Sequence, residues 1–169
     1  MKNSLSSKNS LNPVPSSPTT GKHILAEFWQ CQCDPQLLTS TQPLLSLLTQ
    51  AVEQAGLTLV GHAVHEFEQY EAQNDNESDS NSKQLNQDTA PAQISGVTLT
   101  LLLAESHLCL HTWGEYQTVT MDVYVCNVAN ENSSKADALF NTCLQLFQPK
   151  QHHVNSVSRQ HQIPNNFQH

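Results

Sequence analysis

Between Gly96 and Cys126 three strand-like segments follow one another with very little chain between them. Gly96–Ala104 (GVTLTLLLA) is apolar on one face and nearly so on the other. His107–Trp113 comes next, and Gly114 opens the connection to Val119–Cys126. In this last segment Val119, Met121, Val123 and Val125 alternate with Thr120, Asp122, Tyr124 and Cys126. Alternation with period two marks a strand buried on one face and open on the other. Connections this short favour antiparallel pairing, because a parallel pair needs a long crossover.

The flanks supply what such a sheet packs against. His23–Cys31 (HILAEFWQC) reads as a strand from its aliphatic and aromatic content. Pro43 opens a helix in its first turn, where a missing N–H does no harm. Leu44, Leu47, Leu48, Ala51 and Ala55 follow at helical spacing, and Gly56 stands at the C′ position. Leu57–Phe67 reads as a second strand. Ser133 or Ser134 can cap a last helix whose Ala136, Leu139, Phe140, Cys143, Leu144 and Phe147 share one face, and Pro149 ends it. The order β-α-β-loop-β-β-β-α predicts an α+β fold: a two-layer α/β sandwich, its mainly antiparallel sheet covered on one face by two helices.

Only 37% of the 169 residues are hydrophobic and 13% are charged, so the apolar residues must be concentrated in part of the chain. Residues 1–20, Ser/Pro/Asn-rich, read as a disordered N-terminal extension, and 68–92 as a polar disordered insertion. Residues 148–169 read as a flexible Gln/His-rich tail, which leaves 21–147 as the folded domain. None of the three polar stretches carries enough apolar surface to offset an ordering entropy of about 1–2 kcal/mol per residue.

A net charge of −8 argues against a nucleic-acid partner, since phosphate binding needs a basic face. No apolar run approaches the roughly 20 residues that span a bilayer, and the N-terminus lacks the apolar core of a secretory signal, so no membrane partner and a cytoplasmic location are expected. Five cysteines without framework spacing fit reduced thiols.

The chemistry-bearing stretch is Ala104–Glu115, AESHLCLHTWGE, where Glu105, Ser106, His107, Cys109 and His111 interrupt a buried-strand pattern. Solvated residues at a strand end would give the same pattern. His107, Cys109 and His111 alternate and so share a face, with side chains suited to zinc or copper. Cys31-Gln32-Cys33 is too tightly spaced to complete a usual set, and the tail histidines His152, His153, His161 and His169 lie in a stretch read as flexible; no metal is expected. No G-x-S-x-G elbow accompanies Ser106, which disfavours an α/β-hydrolase.

Residues Ala104-Glu105-Ser106-His107-Leu108, His111-Thr112-Trp113, Glu115 and Asp122-Val123 with Cys126 resemble the short, prokaryotic, pyruvoyl-dependent S-adenosylmethionine decarboxylase proenzymes. Gly21-Lys22-His23-Ile24-Leu25, Glu27, Cys33-Asp34-Pro35, Ala55-Gly56, Val60-Gly61 and His65-Glu66-Phe67 agree in the N-terminal block. Gly114 stands where the family usually has Pro, the loop from Glu68 to Ala92 is longer than the family's connection, and the two tails have no counterpart in compact members.

The resemblance implies self-cleavage between Glu105 and Ser106, with Ser106 becoming a pyruvoyl group that forms a Schiff base with the substrate amine. The pyruvoyl group is then the cofactor, generated by the chain itself. His111 matches the processing base, with Thr98 as a processing aid, and Cys126 matches the proton donor. Phe67 and His111 match residues against the adenine, and Glu115 the carboxylate on the ribose. The implied activity converts S-adenosylmethionine to S-adenosylmethioninamine and CO2 for spermidine biosynthesis, in a homodimer of αβ units with the site between protomers. Two alternatives stand beside it: a pyruvoyl-dependent ornithine or arginine decarboxylase, and an uncleaved metal- or ligand-binding module using His107, Cys109 and His111. Ser106 and His111 are five apart, so a straight strand would put them on opposite faces.

Overall fold

The computed structural model describes residues 20–67, 95–127 and 130–160. The readings of residues 1–19, 68–94 and 161–169 as polar extensions therefore lie outside the described residues. In chain order the elements are β1 (Thr20–Cys31), α1 (Gln36–Thr39), α2 (Thr41–Gln54), β2 (Leu59–Glu66), β3 (Val97–Leu103), β4 (Ser106–Trp113), β5 (Thr118–Val125), α3 (Ser133–Phe147) and β6 (Pro149–Gln160). The six strands form one antiparallel sheet in the order β2-β3-β4-β5-β1-β6.

Period two decides what is buried. Ile24, Ala26 and Phe28 of β1, Val97, Leu99, Leu101 and Leu103 of β3, Leu108 and Leu110 of β4, and Val119, Met121, Val123 and Val125 of β5 meet the apolar faces of α2 and α3. Leu44, Leu48 and Val52 of α2 and Leu139, Cys143 and Phe147 of α3 are fully buried there. Each large apolar side chain so buried contributes about 1.5–3 kcal/mol. The one hydroxyl at a core position of β4, Thr112, has both roles filled: it accepts from Val97 N at 2.8 Å and donates to Leu38 O at 2.7 Å, tying α1 to the sheet.

Helix ends follow the expected logic with one change. Gly56 has φ +73°, the left-handed conformation its C′ position needs. The last helix is capped one residue earlier than expected, at Asn132, and Glu131 Oε1 accepts from Ser133 N at 3.0 Å.

The expectation of a flexible tail from Gln148 fails for Pro149–Gln160. That segment is β6, paired with β1 from Cys31↔Pro149 to Thr20↔Gln160. Its residues from Lys150 onward are exposed, so main-chain bonds to β1 hold it where a buried face does not. Lysine, histidine and other polar side chains are what an edge strand carries.

In hydrogen exchange, β6 amides bonded to β1 should exchange at least about 10-fold more slowly than unstructured peptide amides. Peptide-like rates throughout residues 150–159 would contradict the pairing.

Candidate functional site

The helices cover one face of the sheet, and the other face carries reactive groups in rows. One row crosses all six strands: His65, Thr98, His111, Thr120, Glu27 and His153 are successive cross-strand partners. Thr98 Oγ1 and His111 Nδ1 are 2.9 Å apart, which joins the two residues expected to act in processing. His111, Glu27 and Asp122 line a pocket of about 210 Å³ on this face, with Cys109 and Thr120. Glu27 Oε2 is shielded there without a hydrogen-bond partner among the described residues.

Glu105 and Ser106 lie at one end of the strands. Leu103 pairs with Ser106 across the short turn Ala104–Glu105, and Ser106 pairs with Val125. One step further along the register brings Cys126 opposite the Glu105 side of the bond. Cys126 O accepts from Asn132 Nδ2 at 2.8 Å, which anchors this strand end to the start of α3. A pocket of about 220 Å³ opens beside Glu105 and Ser106, lined also by Thr58, Asn132 and Lys135. Neither Ala104 nor Glu105 is among the residues with positive φ.

Phe67 and Glu115 lie at the opposite end. Phe67 N donates to Gly96 O at 2.9 Å, and Glu115 Oε2 accepts from Ser95 N at 3.2 Å, so the short Ser95–Gly96 link positions both. A Cβ on Gly96 would come within 2.8 Å of the Phe67 ring. Gly114 donates to Ser95 O at 2.8 Å, and a Cβ on it would lie 2.6 Å from Thr39 Cγ2. Proline at that position would lose the bond and collide, so the departure from the family's usual Pro fits this chain's packing. Glu66, the neighbour of Phe67, accepts from Thr41 N and, at 2.5 Å, from Thr41 Oγ1 at the start of α2. Those bonds, the hydroxyl's foremost, hold the Glu66 carboxyl below its usual range.

Nearer Ser106, a second row on the open face runs Leu102, His107, Tyr124, His23 and Val157. Burial raises the Tyr124 phenol, as does the Cys126 side chain beside it, while Arg159, 5.1 Å over the ring, lowers it. Desolvation raises four other thiols: Cys31 to about 11, Cys143 to about 12, and Cys33 and Cys109 in the same direction. His107, Cys109 and His111 do share the open face, but same-face neighbours on a strand stand roughly 6.7 Å apart. Among the described residues, the metal-ligating groups that converge are His23, His107 and Asp122. Asp122 and His23 were not expected as site residues, because their meeting depends on the β1–β5 register.

The site residues thus fall into two groups. Ser106 and Cys126 occupy one end of the strands; Phe67, Glu115 and Trp113 occupy the other, with His111 and Thr98 toward them. Ser106 and His111, five residues apart on β4, are separated by about 17 Å and face opposite sides of the sheet.

Two tests follow from the Phe67 end. Gly96→Ala should cost about 1–3 kcal/mol, read as a lowered Tm, because the new Cβ meets the Phe67 ring and the Thr112 carbonyl. An unchanged Tm would show that the link has room. Because the Glu66 pKa is lowered on folding, its stabilising effect is present above the ordinary glutamate value of 4.5 and is lost as pH falls through the depressed value. Glu66→Ala should therefore flatten the acid limb of Tm against pH; an unaltered limb would contradict the bond to Thr41.

The comparisons agree on one family. The S-adenosylmethionine decarboxylase family model matches residues 22–160, which is every element of the fold apart from the first two residues of β1. The S-adenosylmethionine decarboxylase proenzyme of Archaeoglobus fulgidus is 28% identical over 130 residues, covering 77% of this chain and 88% of the relative. That of Picrophilus torridus is 27% identical over 143 residues, covering 85% and 86%. The crystal structure of the adenosylmethionine decarboxylase from Aquifex aeolicus superposes with a TM-score of 0.60 at 25% identity, over 85% of this chain and 92% of that one. With the same fold and the same span matched from β1 to β6, the chain belongs to the S-adenosylmethionine decarboxylase family.

Proposed function

We propose that the chain is a proenzyme that cleaves itself between Glu105 and Ser106 and then decarboxylates S-adenosylmethionine. Family membership supports the reaction. The observation that carries the site assignment is the placement of Ser106 at the start of β4, beside a pocket of about 220 Å³ and paired with the residue that precedes Cys126.

Cleavage needs only the chain's own groups. The Ser106 hydroxyl attacks the Glu105 carbonyl, the C–N bond breaks, and an ester replaces the amide. Loss of the Ser106 α-proton then expels the Glu105 carboxylate and leaves dehydroalanine. Its enamine tautomerises and takes up water, which releases ammonia and leaves the pyruvoyl group on the shorter chain. The residues present suit this group: Ser106 is half-buried at a strand start, where a new chain end can be accommodated without tearing the sheet. Once formed, the group supplies a carbonyl that binds the substrate amine and draws off the electrons left by CO2.

The other residues divide the remaining work. Cys126, set by the β4–β5 register at the same strand end as Ser106, returns a proton to the carbon that lost CO2. Phe67 stacks on the adenine, Glu115 accepts from the ribose hydroxyls, and Glu27 and Asp122 give the open face a negative surround suited to a sulfonium. His111, with Thr98 on its Nδ1, takes the α-proton during processing. A separation of about 17 Å on opposite faces prevents His111 from reaching Ser106 of its own chain. The reading therefore includes a homodimer of αβ units, with the site formed between protomers and His111 of one copy serving Ser106 of the other. Phe67 and Glu115 together favour the nucleoside over ornithine or arginine, neither of which carries a ribose diol for Glu115 to bind.

On a denaturing gel the purified protein should run as two chains divided at Glu105–Ser106, the shorter blocked to Edman sequencing, with CO2 released from S-adenosylmethionine. Ser106→Ala should remain one inactive chain. A single uncleaved, inactive chain from the unaltered sequence, or CO2 from ornithine in place of the nucleoside, would overturn the reading.

A further inference from the structure

His23 of β1, His107 of β4 and Asp122 of β5 reach one another on the open face from three strands. His23 Nε2 and His107 Nε2 lie 3.1 Å and 3.0 Å from the same carboxylate oxygen, Asp122 Oδ2. One ligand atom from each residue falls within 4.8 Å of the other two. We propose that His23, His107 and Asp122 bind one divalent transition-metal ion of the zinc class.

The donor set selects the ion. Two imidazoles and one carboxylate suit zinc, cobalt or nickel, whereas magnesium and calcium prefer oxygen alone. An ion about 2.1 Å from each atom of a tetrahedral set holds the ligand atoms about 3.4 Å apart. The two histidine–carboxylate pairs are already within a few tenths of an ångström of that spacing. Rotation of the imidazoles on a rigid three-strand platform supplies the rest. The three side chains are 18–34% exposed, enough for an ion to enter and for at least one coordination position to stay open. Tyr124 packs its ring against both imidazoles, with centroids 5.7 Å and 5.5 Å away, which restricts their rotation. Arg159, the nearby cation, lies over the Tyr124 ring. Without an ion, both imidazoles direct Nε2 at one oxygen; an ion replaces that competition with one bond to each.

The site also has a position in the processed protein. His23 precedes Glu105–Ser106, whereas His107 and Asp122 follow it. A bound ion therefore joins the two chains that cleavage creates and fixes the residue next to Ser106. That consequence rests on the cleavage reading; the site itself does not.

Zinc titrated into the chelator-stripped full chain should bind at one equivalent per chain at this site with Kd at or below about 1 µM. Cobalt as the probe should give the intense visible bands of a four-coordinate ion. Asp122→Asn and His107→Gln should each weaken that binding by more than about 100-fold, beyond the 10–100-fold cost of altering an outer partner. His62→Gln and His153→Gln, on exposed residues elsewhere, should leave it unchanged. Ser106→Ala should bind equally, so loss of the cleavage reading alone leaves this result intact. Zinc binding no tighter than about 100 µM in the unaltered chain, or unchanged in Asp122→Asn and His107→Gln, would leave a hydrogen-bonded triad and overturn the proposal.

Discussion

Both long helices pack on one side of the sheet, and the architecture follows from that asymmetry. A strand turns successive side chains to opposite faces. On β3, β4 and β5 one set therefore closes the core with α2 and α3, while the other set faces away from every helix. The core side is almost wholly aliphatic, and burial there fixes the register, since a one-residue slip would bury Asp122 and expose Val123. The open side is thus free to carry histidines, threonines, a cysteine and carboxylates without cost to the core.

That constraint also underlies the proposed sharing of the site between two copies. Ser106 and Cys126 stand where β4 begins and β5 ends; Phe67, Glu115 and Trp113 stand where β2 and β4 end. A strand is stiff, and its length keeps the two groups apart. Two copies related by a two-fold axis can set one end of each against the other end of its partner.

The sheet centre was legible because its strands alternate sharply and its links are short, and α2 because Pro43 and Gly56 bracket one apolar stripe. The separation of Ser106 from His111 was legible from the parity of their spacing alone. β6 was not legible: only Val154 and Val157 interrupt its polar residues, they fall on opposite faces, and main-chain pairing leaves no mark in composition. The four residues of α1 are too few to show a period. The His23–Asp122 contact joins residues 99 apart and appears only once β1 is laid beside β5. The alternation of His107, Cys109 and His111 was real, but a strand spaces such residues too widely to ligate one ion.

Mixing two inactive variants tests most directly whether one catalytic site draws on two chains. Cys126→Ala removes the proposed proton donor at one end, and Glu115→Gln the proposed ribose carboxylate at the other. Dissociated and reassociated together, random pairing makes half the dimers hybrids, each with one intact site, so activity should return to about a quarter of the unaltered level. Mixtures no more active than the separate variants, despite demonstrated subunit exchange, would place the whole site within one chain and contradict the account.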